Sequence, residues 1–206
     1  MPAPPRSPAA HPTRYRPDRV ALHVAGLAAT SWLLERAARR LPGFETSRLA
    51  EAISRIPAAS DATSGPDWIR LVLRDAVVPA TLEELLFRGL LYEILRRSAG
   101  VPAAIVGTAL LFGLAHLDLH HGLVASLLGL QLGLLRERHG LGLAWLAHAT
   151  NNVLAVSVST TAVDWRATGL ALALCGISNA ALLQGMGSQN RARATGGSPA
   201  SGDPRM

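Results

Sequence analysis

Long apolar runs, separated by short polar stretches, dominate the chain. Five of these runs carry no charged residue, and a sixth is apolar but has charged residues along its length. About 20 apolar helical residues cross the hydrocarbon core of a bilayer, and somewhat shorter segments also occur. The pattern therefore predicts six membrane-spanning helices. They are Val20–Leu34, Trp68–Leu95, Val101–Leu117, Gly122–Leu135, Gly140–Thr160 and Gly169–Met186.

The distribution of charge supports a membrane location. The chain has 206 residues and 34 charged side chains, 20 basic and 14 acidic. Only six of the 34 lie between Gly100 and Met186, a stretch in which a soluble helical domain would need polar helix faces. Abundant Gly, Ala and Ser in the apolar runs suit close helix packing in lipid. We therefore expect an all-α, polytopic membrane helix bundle.

The remaining composition defines the domain organisation and excludes some partners. Residues 1–19 are predicted to be a disordered, Arg- and Pro-rich cytoplasmic tail, and 20–67 a first membrane helix followed by a surface loop or helix. Residues 68–160 form the predicted core, 161–186 the last membrane helix and 187–206 a second disordered tail. Arginine is denser on the side that includes the N-terminus, which favours a cytoplasmic N-terminus in the inner (plasma) membrane. Dispersed arginines and few aromatic residues argue against nucleic-acid binding.

Three ionisable residues lie within the apolar run Leu82–Leu91, where each is expensive to insert and implies a partner or a function. Glu84 and Arg88 are four residues apart and so are predicted to pair on one helix face. Glu83 points about 100° away and is left for another partner. Thr81 and Glu84 also fit a capping box for a helix that begins near residue 82.

Two other segments place polar side chains at a similar depth. Phe112 and His116 lie one helical turn apart, and so do His148 and Asn152. A histidine on an apolar helix is commonly a hydrogen-bonded core residue, but the three groups together predict one shared polar pocket near the bilayer midplane. Four other histidines lie near segment ends and are predicted to be interfacial, with no site assigned: His23, His120, His121 and His139.

These three groups resemble the motifs of a known family. Glu83–Gly89 looks like the EExxxR motif of the CAAX-protease and bacteriocin-processing family of intramembrane endopeptidases. Phe112–His116 resembles the FxxxH motif of that family, and His148–Asn152 resembles its HxxxN motif. The match in order and spacing covers roughly residues 75–156.

The resemblance implies that the chain hydrolyses peptide bonds within or beside the membrane. By analogy, Glu83 activates a water molecule with help from His116, and His148 and Asn152 stabilise the oxyanion. The remaining motif residues are expected to support the site or line the pocket: Glu84, Arg88, Phe87 and Phe112.

The same residues leave a metal open as an alternative. A carboxylate and two imidazoles suit Zn²⁺, with Glu83, His116 and His148 as the ligands. A metal-free mechanism is slightly favoured because Asn152 is a poor zinc ligand and the chain has no HExxH motif. The expected cofactor is therefore none, or zinc.

The expected substrate is a membrane-associated protein or peptide. A prenylated-type C-terminus, a leader peptide and a C-terminal sorting signal remain open. Two other functions also remain open, namely a non-catalytic immunity or scaffold protein that binds another membrane protein, and a small transporter with a polar midplane site.

Overall fold

The chain forms a bundle of α-helices in a computed structural model that describes residues 17–54, 66–157 and 165–195. No strand occurs in these ranges, which confirms the predicted all-α class. A 3₁₀ turn, Phe44–Thr46, precedes α2. The eight helices described are α1 (Pro17–Ala38), α2 (Arg48–Ser54), α3 (Pro66–Val72), α4 (Val78–Glu83), α5 (Tyr92–Leu114), α6 (Leu119–His139), α7 (Leu141–Ser157) and α8 (Trp165–Thr195).

Helices α3, α4 and α5 follow one another through two π-helical segments, Leu73–Val77 and Glu84–Leu91. The continuity is interrupted at Gly100, whose φ of 85° lies in the left-handed region that favours glycine. Pro102 follows two residues later, and the residue before a proline is biased away from helical geometry. The break falls between the apolar runs Trp68–Leu95 and Val101–Leu117, which the sequence predicts as two separate spans.

Other boundaries differ from those predicted. Helix α1 begins at Pro17, within the predicted N-terminal tail, and α8 continues to Thr195, so part of the predicted C-terminal tail is helical. Residues 1–16 and 196–206, where the rest of both tails was predicted, lie outside the described residues.

The capping box predicted at Thr81 is wrong. Its hydroxyl donates to Val77 O at 2.7 Å and accepts a hydrogen bond from Trp145 Nε1 at 2.9 Å. The backbone continues through this point as helix, so no helix N-terminus exists there for Thr81 to cap. Its hydroxyl instead links α4 to α7.

Helices α5 and α6 make the most extensive contact in the described bundle. Glycines at the crossing allow the backbones to approach, because a Cβ on Gly129 would lie 3.0 Å from Ala109 Cα. A Cβ on Gly133 would likewise lie 3.2 Å from Ile105 Cγ2. This close crossing places the motif residues at the end of α5 directly beside α6.

The outer surface of the bundle is rich in large aliphatic side chains. Leu82, Leu85, Leu90 and Leu110 are each more than half exposed, although a soluble protein would bury many such residues. By length and composition, Trp68–Leu114 is the one helical stretch in the described ranges that could cross a membrane, and Thr168–Gln184 is a shorter apolar helix. The exposed leucines are therefore suited to contact with lipid.

The segment after α1, predicted as a surface loop or helix, packs partly into the bundle. Phe44 and Leu49 are buried against Ala38 and Val124. Asp118, the N-cap of α6, holds this segment by accepting from the backbone N–H of Arg48 at 3.0 Å. Asp118 also accepts from His121 N–H at 2.8 Å, and these two N–H groups, His121 first, lower the pKa of its carboxyl group.

Candidate active site

The end of α4 at Glu83 and the π-helical segment Glu84–Leu91 carry the first motif, and the π-helical segment buries an ion pair. Arg88 Nη1 donates to Glu84 Oε1 at 3.0 Å, and the two side chains are 0% and 1% exposed, respectively. Arg88 Nη2 also donates to Gly129 O in α6 at 3.3 Å. The predicted Glu84–Arg88 pair is confirmed, and its burial means that neither charge has water as an alternative partner.

His148 lies between the two adjacent glutamates. Its Nδ1 is 2.9 Å from Glu84 Oε1, and its Nε2 is 3.5 Å from Glu83 Oε2. Glu84 already accepts from Arg88 and is an acceptor as a carboxylate, so the hydrogen of the shorter contact belongs to His148 Nδ1. Glu83 is the more exposed of the two glutamates. The sequence did not identify its partner, and in the structure that partner is His148 on α7.

His116 has its orientation defined by its own helix. Its Nδ1 is 2.8 Å from Phe112 O, and because a carbonyl only accepts, Nδ1 carries the hydrogen. In the neutral imidazole, Nε2 is then a hydrogen-bond acceptor. His116 is therefore arranged to accept a proton from a group in the cavity.

Phe112 is the common neighbour of the site residues. Its ring makes edge-to-face contacts with His116 at 5.0 Å, with His148 at 5.7 Å and with Phe87 at 5.2 Å between centroids. The Arg88 guanidinium lies 4.5 Å from the same ring centroid. Phe112 therefore lines the pocket as expected, whereas Phe87 packs behind it.

A cavity of about 320 Å³ joins these residues. Its polar end contains Glu83, His116, His148 and Asn152, so the structure brings the catalytic candidates from three segments into one space. Glu84, Arg88 and Phe87 stand behind this end and do not line it. The other walls are mainly aliphatic and come from α1, α2 and α6: Leu27, Leu49, Ile53, Val124, Leu128 and Leu132.

Two residues that line the cavity were not predicted from the sequence to belong to the site. His121, predicted to be interfacial, lines the cavity, and its ring centroid lies 4.1 Å from that of His116. Asn151 lines it beside Asn152 and is 9% exposed. His121 lies five residues after His116, across the α5–α6 turn, and that turn brings the two rings together. Two other histidines assigned to the interface, His23 and His120, are buried.

The site does not present a formed metal centre. Among the described residues, no three His, Cys, Asp or Glu side chains are grouped so that they could hold a metal ion. The Nδ1 atoms of His116 and His148 are both occupied by protein acceptors. This leaves their Nε2 atoms as the nitrogens that could bind a metal, and a metal-bound histidine commonly has its other ring N–H held by a carbonyl or carboxylate in this way.

The helical bundle thus combines an aliphatic outer surface with a cavity that joins carboxylate, imidazole and amide groups. Residues 65–154 match the family described as Rce1-like, type II CAAX prenyl endopeptidase Rce1-like. These 90 residues of the 206 are therefore similar to a family of CAAX-type membrane proteases. No curated protein and no solved structure matches the chain.

Proposed function

We propose that the chain is an intramembrane endopeptidase in which Glu83 and His116 activate a water molecule for attack on a peptide carbonyl. The observation that carries this proposal is the cavity itself, where a carboxylate and an imidazole acceptor face the same space. Glu83 and His116 each offer a lone pair, and a water has two hydrogens to donate to them. Such a water is oriented with its oxygen lone pair toward a bound substrate.

In the proposed reaction, Glu83 removes a proton as the water oxygen bonds to the carbonyl carbon. The tetrahedral intermediate then collapses, the C–N bond breaks, and the leaving nitrogen takes the proton from Glu83. His116 holds the attacking water through its Nε2 during the first step. No other reactant is needed, so the reaction balances as a simple hydrolysis.

His148 and Asn152 are proposed to stabilise the oxyanion, and the geometry sets a condition on this role. Because His148 Nδ1–H donates to Glu84, only the imidazolium form has a second N–H at Nε2 to offer to an oxyanion. Glu84 and Glu83, on either side of the ring, are positioned to compensate that positive charge. The amide of Asn152 supplies a neutral donor beside it.

The substrate is proposed to be a membrane-associated protein or peptide. The aliphatic walls contributed by α1, α2 and α6 suit an apolar segment next to the scissile bond. Prenylated-type C-termini, leader peptides and C-terminal sorting signals all present such a segment. We place the protein in the inner membrane with a cytoplasmic N-terminus, in accord with the arginine distribution.

Cleavage by the purified protein in liposomes tests the proposal, with peptides of all three substrate types. We expect Glu83→Gln and His116→Ala to reduce kcat by about 10²- to 10⁴-fold, the usual contribution of general acid–base groups. Glu93→Gln is the matched control, because Glu93 pairs with Arg97 on the bundle surface and should leave cleavage unchanged. Full activity in Glu83→Gln would refute the catalytic assignment.

Metal analysis of the same preparations separates the alternatives. About one equivalent of zinc, lost in both Glu83→Gln and His116→Ala, would replace the glutamate mechanism with a metallopeptidase. Chelator-resistant cleavage without stoichiometric metal would support the proposal. Cleavage of none of the peptides by the wild type would favour a non-catalytic binding protein.

A further inference from the structure

The π-helical geometry changes the backbone hydrogen bonds around Arg88. In an α-helix the N–H of residue 92 would bond to the carbonyl of residue 88. Here Tyr92 N–H bonds to Phe87 O, five residues back, so that donor is not directed at the Arg88 carbonyl. A π-helical turn of this kind is rare, and such turns occur frequently at functional sites.

Arg136, in the last turn of α6, supplies a donor to that carbonyl. Its Nε lies 2.9 Å from Arg88 O, a charge-assisted hydrogen bond between elements 48 residues apart. Its guanidinium also lies 5.4 Å from the ring centroid of Tyr92. Because both contacts fall at the C-terminal end of the π-helical segment, Arg136 holds the place where π-helix returns to α-helix.

The neighbouring residues restrain this end of the segment further. Tyr92 is fully buried, and its hydroxyl donates to Glu137 Oε2 at 2.8 Å. Arg96 Nε lies 3.3 Å from the same oxygen. Two consecutive residues of α6, Arg136 and Glu137, thus bind the backbone and side chains of the π-to-α junction.

The two helices hold each other reciprocally. The Arg88 side chain donates to the backbone of α6 at Gly129 O, and the Arg136 side chain of α6 donates to the backbone of Arg88. The two α6 residues are seven positions apart, or about 10 Å along the helix. A segment held at two separated points has little freedom to rotate, and rotation would turn Glu83 and Glu84 away from His148.

We propose that Arg136 is a positioning residue, which keeps the π-helical segment in the register that aims both glutamates at His148. This inference rests on the proposed peptidase function only for its kinetic consequence. Arg136 does not line the cavity, and its contact with the site is the hydrogen bond to Arg88 O, so it acts through the backbone of Arg88 and not on the substrate.

Kinetics of Arg136→Ala in liposomes test this role against a merely structural one. We expect kcat to fall about 10- to 100-fold, the cost of a small misplacement of catalytic groups, with KM changed less than about twofold. Arg136→Lys keeps a charged donor and should recover most of the lost kcat. Arg138→Ala is the matched control, because Arg138 donates to the carbonyls of Ala181 and Leu182 in α8, away from the site.

Equal effects of Arg136→Ala and Arg138→Ala on kcat would overturn the proposal, and so would failure of Arg136→Lys to recover activity. Hydrogen–deuterium exchange of residues 84–92 provides a second test that needs no substrate. Exchange should accelerate in Arg136→Ala relative to Arg138→Ala, and unchanged exchange would refute the positioning role. Faster exchange together with an inactive wild type would support the positioning role and refute the peptidase function.

Discussion

Gly113 lies where α5 packs closely against α6, and a single methyl group at this position provides a sensitive test of the bundle. A Cβ on Gly113 would overlap with the backbone carbonyl oxygen of Gly122 and with Ser126 Oγ, and would lie 3.1 Å from Ser126 Cβ. The serine hydroxyl can rotate away, but the carbonyl cannot. The two helices would therefore have to separate by about 1 Å to reach ordinary van der Waals distances.

The size of the effect follows from two opposing contributions. Overpacking of a buried contact costs about 1–3 kcal/mol, and the rigid obstacle places Gly113→Ala near the upper value. Replacement of glycine by alanine within a helix stabilises the folded state by about 1 kcal/mol, because alanine has the higher helix propensity. The expected net loss is about 2 kcal/mol in the free energy of unfolding, or a fall of about 4–8 °C in Tm for a chain of this length.

Thermal unfolding in detergent measures this loss, with Gly176→Ala as the control. Nothing lies within 4 Å of a Cβ on Gly176, so that substitution should leave Tm unchanged or raise it slightly. Gly113→Ala should also reduce cleavage, because Gly113 lies between Phe112 and His116 on α5. Equal Tm values for Gly113→Ala and wild type would refute close packing of α5 against α6 at Gly113.

Two further predictions concern charged groups. Glu84→Leu should cost about 3–5 kcal/mol of stability because it leaves Arg88 buried without its partner. Glu84→Gln keeps a hydrogen-bond acceptor and should cost much less. Equal Tm values for Glu84→Leu and Glu84→Gln would contradict a buried pair. Asp118 has a lowered pKa, so its stabilisation is present above the ordinary carboxyl pKa and is lost as the pH falls through its folded-state pKa. Asp118→Ala should cost about 0.5–2 kcal/mol of stability at neutral pH because it removes the helix cap. Asp118→Asn is still a good cap and should lose less stability than the wild type on acidification. Parallel curves of Tm against pH for the wild type and Asp118→Asn would contradict this.

The helices and motif pairs were predictable because their signals are local. Apolar runs and the scarcity of charge between Gly100 and Met186 indicate helices in which every face packs against other helices or contacts lipid. The Glu84–Arg88 pair follows from a spacing of four residues on one helix. Similar estimated depths led to the correct expectation that Glu83, His116 and His148 share one pocket.

The partners across helices were not predictable, because they depend on which faces meet. His121 was assigned to the interface, yet the turn after α5 places its ring against His116. Arg136 carried no site prediction, yet it binds the backbone of Arg88. Neither contact leaves a periodic signal, since each joins residues on different helices.

Apolar composition and short-range spacing thus define the membrane helices and the residues that must find polar partners inside them. The choice of partner comes from helix crossing and register: glycines bring α5 against α6, and a π-helical segment turns Glu83 and Glu84 toward opposite sides of His148. The physical reason is that a buried charged group is stabilised by any well-placed group of opposite charge or matching hydrogen-bonding capacity. Which partner is well placed depends on backbone positions that sequence-distant contacts establish.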